Sequence, residues 1–464
     1  MSERERERLW TGTFVLVVVL TFVCFLVGQG VNSSLSVFIT TKGGSGTLAG
    51  ALAAIFSASA AASRLVYGPL IDQYGRRPFL IVGFALFLVG LIGPLVNAST
   101  PAFVMWRILQ GFGFSGVTSA AATAAADVLC LSRLGEGIGY HGLGQAIAMS
   151  IGPAIGLWLV GTDPAENVFV GLSILAVVGL VLACACTYER HPERLPHSSA
   201  YYQRSLRACE DSESHETDKD CEARDAGEGC EVRGVGEARE GGEACKAHKP
   251  CNADKDCESA SASKKQETLW QRIFEPQALP GMLPILVLSP VFGFSIYFCG
   301  LYGTTLGVGN AGIYFTLSAI TMILVRLAGK RFMDSVGPLW LMGVAVIAGL
   351  ITGVILMAAT AMPVLFYVAG PFYGVCIGLG VPVNQSVAVK CTPAHRWGAA
   401  NALFMLSQDV GIGVASVAWG IVNDCWGFSA SLGGVMVLAV LSLVVAWFAY
   451  PYHGLRPLEA QAID

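Results

Sequence analysis

The sequence predicts an all-α membrane protein of twelve transmembrane helices, arranged as two pseudo-symmetric six-helix bundles. Three observations carry that prediction: a charge-poor apolar composition, twelve apolar runs of spanning length, and a polar cluster that occurs twice. The chain has 464 residues, 54% hydrophobic and 13% charged, with 55 glycines, whereas soluble domains carry about 25% charged residues.

A helix needs roughly 20 apolar residues to cross the hydrocarbon core. The runs lie at 10–37, 47–71, 78–97, 101–127, 137–161, 165–187, 278–303, 309–329, 338–360, 362–389, 398–422 and 428–449. Several are Gly-rich, which membrane helices tolerate better than soluble ones. The first run follows MSERERER. It is too long for the core of a signal peptide and no A-x-A-like site closes it, so it reads as a retained helix.

Lys and Arg collect in cytoplasmic loops. With the N-terminus inside, the inner loops hold Arg76, Arg77, Arg133, Lys330, Arg331, Lys390 and Arg396, while the outer connections hold Lys42. Both termini are therefore expected in the cytoplasm of a multi-pass protein of the inner (plasma) membrane. No basic stripe of the kind nucleic acids need is present, so the expected surroundings are a lipid bilayer, a small-molecule substrate and protons, with the chain a monomer.

The repeat is internal. Arg64, Asp72 and Gly75 recur as Arg326, Asp334 and Gly337 at one offset of 262 residues, and Arg133 recurs as Arg396 at 263. Two parallel six-helix halves follow, 1–187 and 276–464, joined by a polar segment at 188–275. Between Arg204 and Glu267 acids outnumber bases 17 to 11. Such a segment cannot bury enough apolar surface to offset chain entropy, so a disordered cytoplasmic tether is expected. Its cysteines, Cys209, Cys221, Cys230, Cys245, Cys251 and Cys257, form no C-x-x-C pair, so no metal site is expected there. The remaining cysteines read as small packing residues.

YGPLIDQYGRRPF, Tyr67 to Phe79, resembles the loop signature between helices 2 and 3 of the major facilitator superfamily, G-x-L-a-D-r-x-G-r-[RK]. Gly68, Leu70, Asp72, Gly75, Arg76 and Arg77 carry the match. In the second copy Asp334 and Gly337 match, but Pro338, Leu339 and Trp340 replace the basic pair. The resemblance implies that Asp72 faces helix 11 and that the loop Arg reaches an acid at the end of helix 4, where Asp127 stands. Such contacts would form in one packing of the halves and break in another. The alternative is a simple turn with basic anchors.

Ionisable residues within a membrane are costly enough to mark function. Arg107, Gln110, Gly111 and Gly113 in WRILQGFGFSG resemble the family's helix 4 signature R-x-x-Q-G-x-G, whose Arg is assigned to proton coupling; a structural Arg held by backbone carbonyls is the alternative. Asp409, in LSQDVGIGVASVAWG, has no base within its own helix and could gain and lose a proton as a cavity opens to either side. It could equally be a protonated helix-to-helix contact. Arg64 and Arg326 are expected to snorkel to the interface.

Gly144, Gly152, Pro153 and Gly156 resemble the helix 5 signature G-x(7)-G-P-x-x-G of exporters, with Leu157 in place of a final Gly. Small residues permit close helix approach and Pro bends a helix, which suits a tight, bendable interface with the other half. Candidate cavity residues are Gln29, Asn32, Gln110, Gln145, Tyr297, Tyr302, Asn384 and Gln385.

No nucleophile with its base, no metal-spaced His pair and no G-x(4)-G-K-[ST] appears, so neither an enzyme nor an ATP-driven pump is expected and no cofactor is called for. The resemblance implies a secondary transporter working by alternating access, exporting a small molecule by proton antiport. Uptake of a sugar or organic acid by proton symport is the alternative, and a membrane sensor a more distant one.

Overall fold

Helix starts follow local chemistry. Thr11 and Ser45 cap their helices by accepting the Phe14 and Leu48 amides at 3.2 and 3.1 Å, the bond an N-cap side chain makes to an otherwise orphaned donor. Pro stands in the first turn of four other helices, where its missing N–H costs nothing. The computed structural model describes residues 9–130, 133–189, 199, 276–332, 336–392 and 397–450. All of them belong to one of two units, residues 1–202 with 273–464, the other being 203–272. The expected tether, apart from Tyr188, Glu189 and Ser199, and its cysteines thus lie outside the described residues.

The helices are α1 (Gly12–Thr41), α2 (Gly46–Tyr74), α3 (Arg77–Val96), α4 (Thr100–Val128), α5 (Leu134–Val160), α6 (Asn167–Ala185), α7 (Leu279–Thr305), α8 (Gly312–Phe332), α9 (Pro338–Ala358), α10 (Leu365–Lys390) and α11 (Trp397–Ala449). Gly427, at φ 78°, breaks α11 into two arms, a backbone conformation that only Gly adopts freely. Counting the arms separately gives the twelve expected segments, their ends displaced by a few residues.

Among the described residues nine helices are long and apolar enough on their own to cross a membrane, α11 supplying 50 residues of one of them. α4 is not in that set. It carries Arg107, Gln110, Ser115, Thr118 and Asp127, all buried, so its polarity is turned inward. The reverse holds on α6 and α9, where Ile174, Val181, Ile347 and Val354 are exposed, as faces turned to lipid should be.

The packing repeats with the sequence. α1 packs on α5 as α7 does on α11, α3 on α4 as α9 on α10, and α2 on α4 as α8 on α10. The halves then meet through α2 with α11, α5 with α8, and α1 with α7. Two copies of one six-helix plan, joined face to face, are therefore present.

Candidate functional site

The seam between the halves holds the embedded charges. Its two ends are told apart here as the Lys42 end, where α1 passes to α2, and the Arg76 end, where α2 passes to α3.

At the Lys42 end the halves are stitched together. Asp424 of α11 accepts the Gly46 and Thr47 amides at 3.0 and 2.6 Å and the Thr47 hydroxyl at 2.5 Å. Ser416 donates to the Gly50 carbonyl at 3.1 Å, and Ser36 of α1 donates to the Tyr297 carbonyl of α7. A side chain on Gly420 would meet the Gly46 carbonyl at 2.7 Å, so α2 and α11 touch at backbone level there. Lys42 and Glu166 pair nearby at 2.6 Å; the Lys42 hydrogen bond is the main reason the Glu166 carboxyl lies below its usual pKa.

Further in lies Arg107, 0% exposed. Its guanidinium donates to the Leu52 carbonyl at 3.1 Å, Gln110 Oε1 at 2.8 Å and Asn32 Oδ1 at 2.8 Å, and it covers the Phe56 ring at 4.6 Å. Gln110 is anchored in turn on the Gly90 carbonyl at 2.7 Å. Across the seam the Tyr297 hydroxyl lies beside Arg107 and Ser57. One cation thus gathers α1, α2, α3 and α4, with α7 of the other half at its edge. All of its hydrogen-bonding partners among the described residues are neutral.

Deeper still, Arg64 Nε and Asp409 Oδ2 pair across the seam at 2.8 Å, with side chains 11% and 21% exposed. The counterpart of Arg64 in the repeat, Arg326, also reaches across: it donates to the Gly142 carbonyl of α5 at 3.0 Å. The snorkelling expected of both arginines is not what the chain adopts. A guanidinium with an acceptor within reach in the facing half avoids stretching to the interface, and the helices place those acceptors there.

At the Arg76 end, Gly75 turns the chain at φ 86°. Arg76 Nε pairs with Asp127 Oδ2 at 2.7 Å, both side chains nearly buried. Glu189, just past α6, accepts the Arg76 and Arg77 amides at 2.6 and 3.0 Å, placing a carboxylate where the N-terminus of α3 presents its unpaired donors. Burial above all, with Asp127 and Glu189 beside it, raises the pKa of the Tyr188 hydroxyl. The side chain of Asp72 and the whole of Asp334 lie outside the described residues; Gly337 begins α9 as its N-cap.

The helix 5 glycines need correction. Gly152 and Gly156 face α1, not the other half: a Cβ on Gly152 would meet the Leu26 carbonyl at 2.5 Å, and Gly156 abuts Gly30. The close backbone approach these glycines permit is that of the α1–α5 pair, and Pro153 sits between those two contacts. Ala154 and Leu157, on the adjoining face, are what reach Gly312 and Gly300 of the second half.

The cavity candidates divide. Asn32, Gln110 and Tyr297 belong to the Arg107 cluster. Gln29 is buried against Gly152, and Gln145 on α5 is half-buried. Gln385 bonds Asn401 at 2.6 Å, joining α10 to α11. Tyr302 and Asn384 do not face the seam. The Tyr302 hydroxyl donates to the Leu356 carbonyl of α9 at 2.8 Å, and Asn384 accepts from Tyr450 at 3.0 Å while donating to the Gly380 carbonyl. Both are satisfied inside their own half. His141 contacts the Thr21 hydroxyl at 2.9 Å, tying α5 to α1.

With that geometry in place, the family model described as Major Facilitator Superfamily matches residues 17–369 and 292–462. The chain belongs to the major facilitator superfamily. It is a multi-pass membrane transporter and not an enzyme.

Relatives include the staphylopine export protein of Staphylococcus aureus (strain Mu50 / ATCC 700699), 21% identical over 92% of this chain and 94% of that one. The class G tetracycline resistance protein of Vibrio anguillarum is 33% identical over 31% of this chain and 36% of its own length. The chloramphenicol resistance protein of Pseudomonas aeruginosa is 31% identical over 28% of this chain and 31% of its own. The match thus spans about a third of these two resistance proteins. Among solved structures, a D-xylose–proton symporter superposes with TM-score 0.65 at 15% identity over 97% of this chain and 98% of that one. The peptide transporter POT in complex with sulfate gives 0.65 at 13% identity over 97% and 99%. At those identities the likeness is one of fold.

Proposed function

We propose that this facilitator exports a small molecule across the plasma membrane in exchange for protons, by alternating access between two packings of its halves. The observation that carries the proposal is the Arg64–Asp409 pair at 2.8 Å. Among the described residues Asp409 is the carboxylate deepest in the seam, and its partner belongs to the opposite half. Any rearrangement that parts the halves strips the carboxylate of its counter-charge in a region where a bare charge is expensive. A proton can then take the place of Arg64, which links protonation to the packing of the halves. A membrane potential adds about 2.3 kcal/mol per charge per 100 mV to any step that moves charge across.

The other groups take supporting roles in this reading. Arg107, held rigidly by neutral groups, sets the positive field beside which substrate and proton balance. Arg76 with Asp127, and Gly75 with Asp72, hold the turn between α2 and α3, while the helix 5 glycines and Pro153 let α5 move against α1. The Arg76 end is assigned to the cytoplasm by its basic residues, with residues 188–275 as a tether on that side, and a single chain suffices for the cycle. Export is favoured over uptake because the relatives named above are an export protein and two resistance proteins.

The test has two arms. Cells with and without the chain are compared for tolerance to a panel that includes tetracycline, chloramphenicol and metal-chelating amino-acid derivatives. The compound that separates them is then followed in everted vesicles under an imposed pH gradient. Accumulation driven by interior acidity supports export; accumulation driven by a gradient in right-side-out vesicles would make the protein an importer.

A further inference from the structure

We propose that Asp424 is a one-sided lock: it holds the Lys42 end of the seam shut by capping the first turn of α2 from the opposite half. The proposal rests on the alternating-access reading above and adds to it the residue that decides how long one end stays closed.

The geometry is that of a helix cap supplied in trans. The first N–H groups of a helix have no partner inside it. Ser45 serves one of them, accepting from Leu48 at 3.1 Å. Gly46 and Thr47 remain, and both donate to the two oxygens of Asp424, while the Thr47 hydroxyl adds a third bond. A carboxylate at the positive end of a helix also gains from the aligned peptide dipoles. All three bonds cross the seam, joining residues more than 370 positions apart.

Position and backbone shape reinforce this. A Cβ on Gly46 would lie 2.7 Å from Asp424 Oδ1, so only a glycine at the start of α2 lets the carboxylate approach. Gly50, one turn further in, abuts the Ser416 carbonyl, and no side chain separates the two helices along this stretch. When the halves part at this end, both caps are lost together: Asp424 returns to water and α2 is left with two bare amides.

The repeat supplies no equal on the other side of the molecule. The positions related to Asp424 by the two internal offsets of 262 and 263 are Thr162 and Gly161, just past the end of α5. The corresponding start of α8 is served locally, the Gly312 amide donating to Asn310 at 2.8 Å. At the Lys42 end the α5–α8 crossing therefore closes by packing, through Ala154 and Leu157, the Arg326 contact with the Gly142 carbonyl lying toward the Arg76 end, whereas the α2–α11 crossing closes there by a charge. The molecule is two-fold in plan but asymmetric in what fastens it.

The test reads conformation rather than flux. In the full-length protein, with the remaining cysteines replaced, spin labels on Thr41→Cys and on native Cys425 report the separation of the halves at this end by pulsed dipolar spectroscopy. In lipid nanodiscs, the parent protein should show a dominant short distance and a minor long one. Asp424→Asn, which keeps the shape but loses the charge, should raise the long-to-short ratio by about 3- to 10-fold, the range that a cap and dipole contribution of this kind gives. Thr47→Val removes one bond and should shift the ratio in the same direction by less.

Unchanged distance distributions in both variants would overturn the lock. That outcome is separable from failure of the transport reading. If the parent protein itself never populates the long distance, with or without a pH step, it is alternating access that falls. Melting behaviour of each variant is recorded alongside, and Thr47→Val serves as the deciding variant should Asp424→Asn not fold.

Discussion

Replacing Asp409 by Asn tests the ion pair that the proposed cycle turns on. At 2.8 Å and an effective dielectric of about 20, the Coulomb attraction is about 6 kcal/mol before desolvation is subtracted. The pair is neither a surface pair, worth about 0–1 kcal/mol, nor fully buried, where removing one partner costs about 3–5 kcal/mol. With side chains 11% and 21% exposed, a net contribution of about 2 kcal/mol is expected, or about a 30-fold shift in the balance between packings. Asp409→Asn leaves Arg64 without its counter-charge and removes the proton site at the same time. Combining Asp409→Asn with Arg64→Gln separates those effects, because it removes the stranded charge while still lacking a proton carrier. In proteoliposomes, flux of the exported compound under a pH gradient should vanish in both forms, while thermal stability lost in the single variant returns in the double one. Undiminished gradient-driven flux in Asp409→Asn would refute the reasoning. Recovery of flux in the double variant would reduce the pair to a structural contact.

Other outcomes follow from the same contacts. Asp127→Asn takes from the nearly buried Arg76 the carboxylate it pairs with and should cost up to about 3–5 kcal/mol, seen as a fall in melting temperature; Glu189→Gln should cost less, since it keeps an acceptor for the Arg76 and Arg77 amides. Gly152→Val sets a side chain against the Leu26 carbonyl and should abolish folded protein or transport, while Gly139→Ala, which meets no atom within 4 Å, should leave both intact. Arg107→Lys keeps the charge but cannot serve three acceptors in fork geometry; it should fold with reduced stability and lose transport. The Lys42–Glu166 bridge depresses the Glu166 pKa, so its contribution is present above the ordinary Glu range and is lost as pH falls through the lowered value. Because that bridge is exposed, Glu166→Gln at physiological salt should leave melting unchanged.

Much of the architecture is legible in the sequence because hydrophobic run length and the recurrence of Arg64, Asp72 and Gly75 are local or periodic signals. The Arg76–Asp127 proximity could be anticipated only through the resemblance of the loop signature, which implies an acid at the end of helix 4 opposite the turn between helices 2 and 3. Arg64 was a different case. Read alone it is an arginine nearly three turns from a helix end, for which snorkelling is the ordinary solution, and the acid that claims it lies 345 residues away. Asp424 was invisible for the same reason, since it caps a helix to which no sequence spacing connects it. Glu189 could have been noticed as an acid soon after the sixth run, but nothing local tells which helix start it serves. The helix 5 glycines signalled a close contact correctly, but the other half was the wrong partner for it: small residues say that something approaches, and only the fold says that it is α1.

The most direct measurement of the whole account is a reversible cross-link across the Lys42 end. Thr47→Cys and Asp424→Cys, introduced together with the other cysteines replaced, stand where the native side chains bond at 2.5 Å. Oxidation should stop flux of the exported compound and reduction should restore it, because the halves must part there in every cycle. Full flux through protein shown to be completely cross-linked would contradict alternating access at this seam.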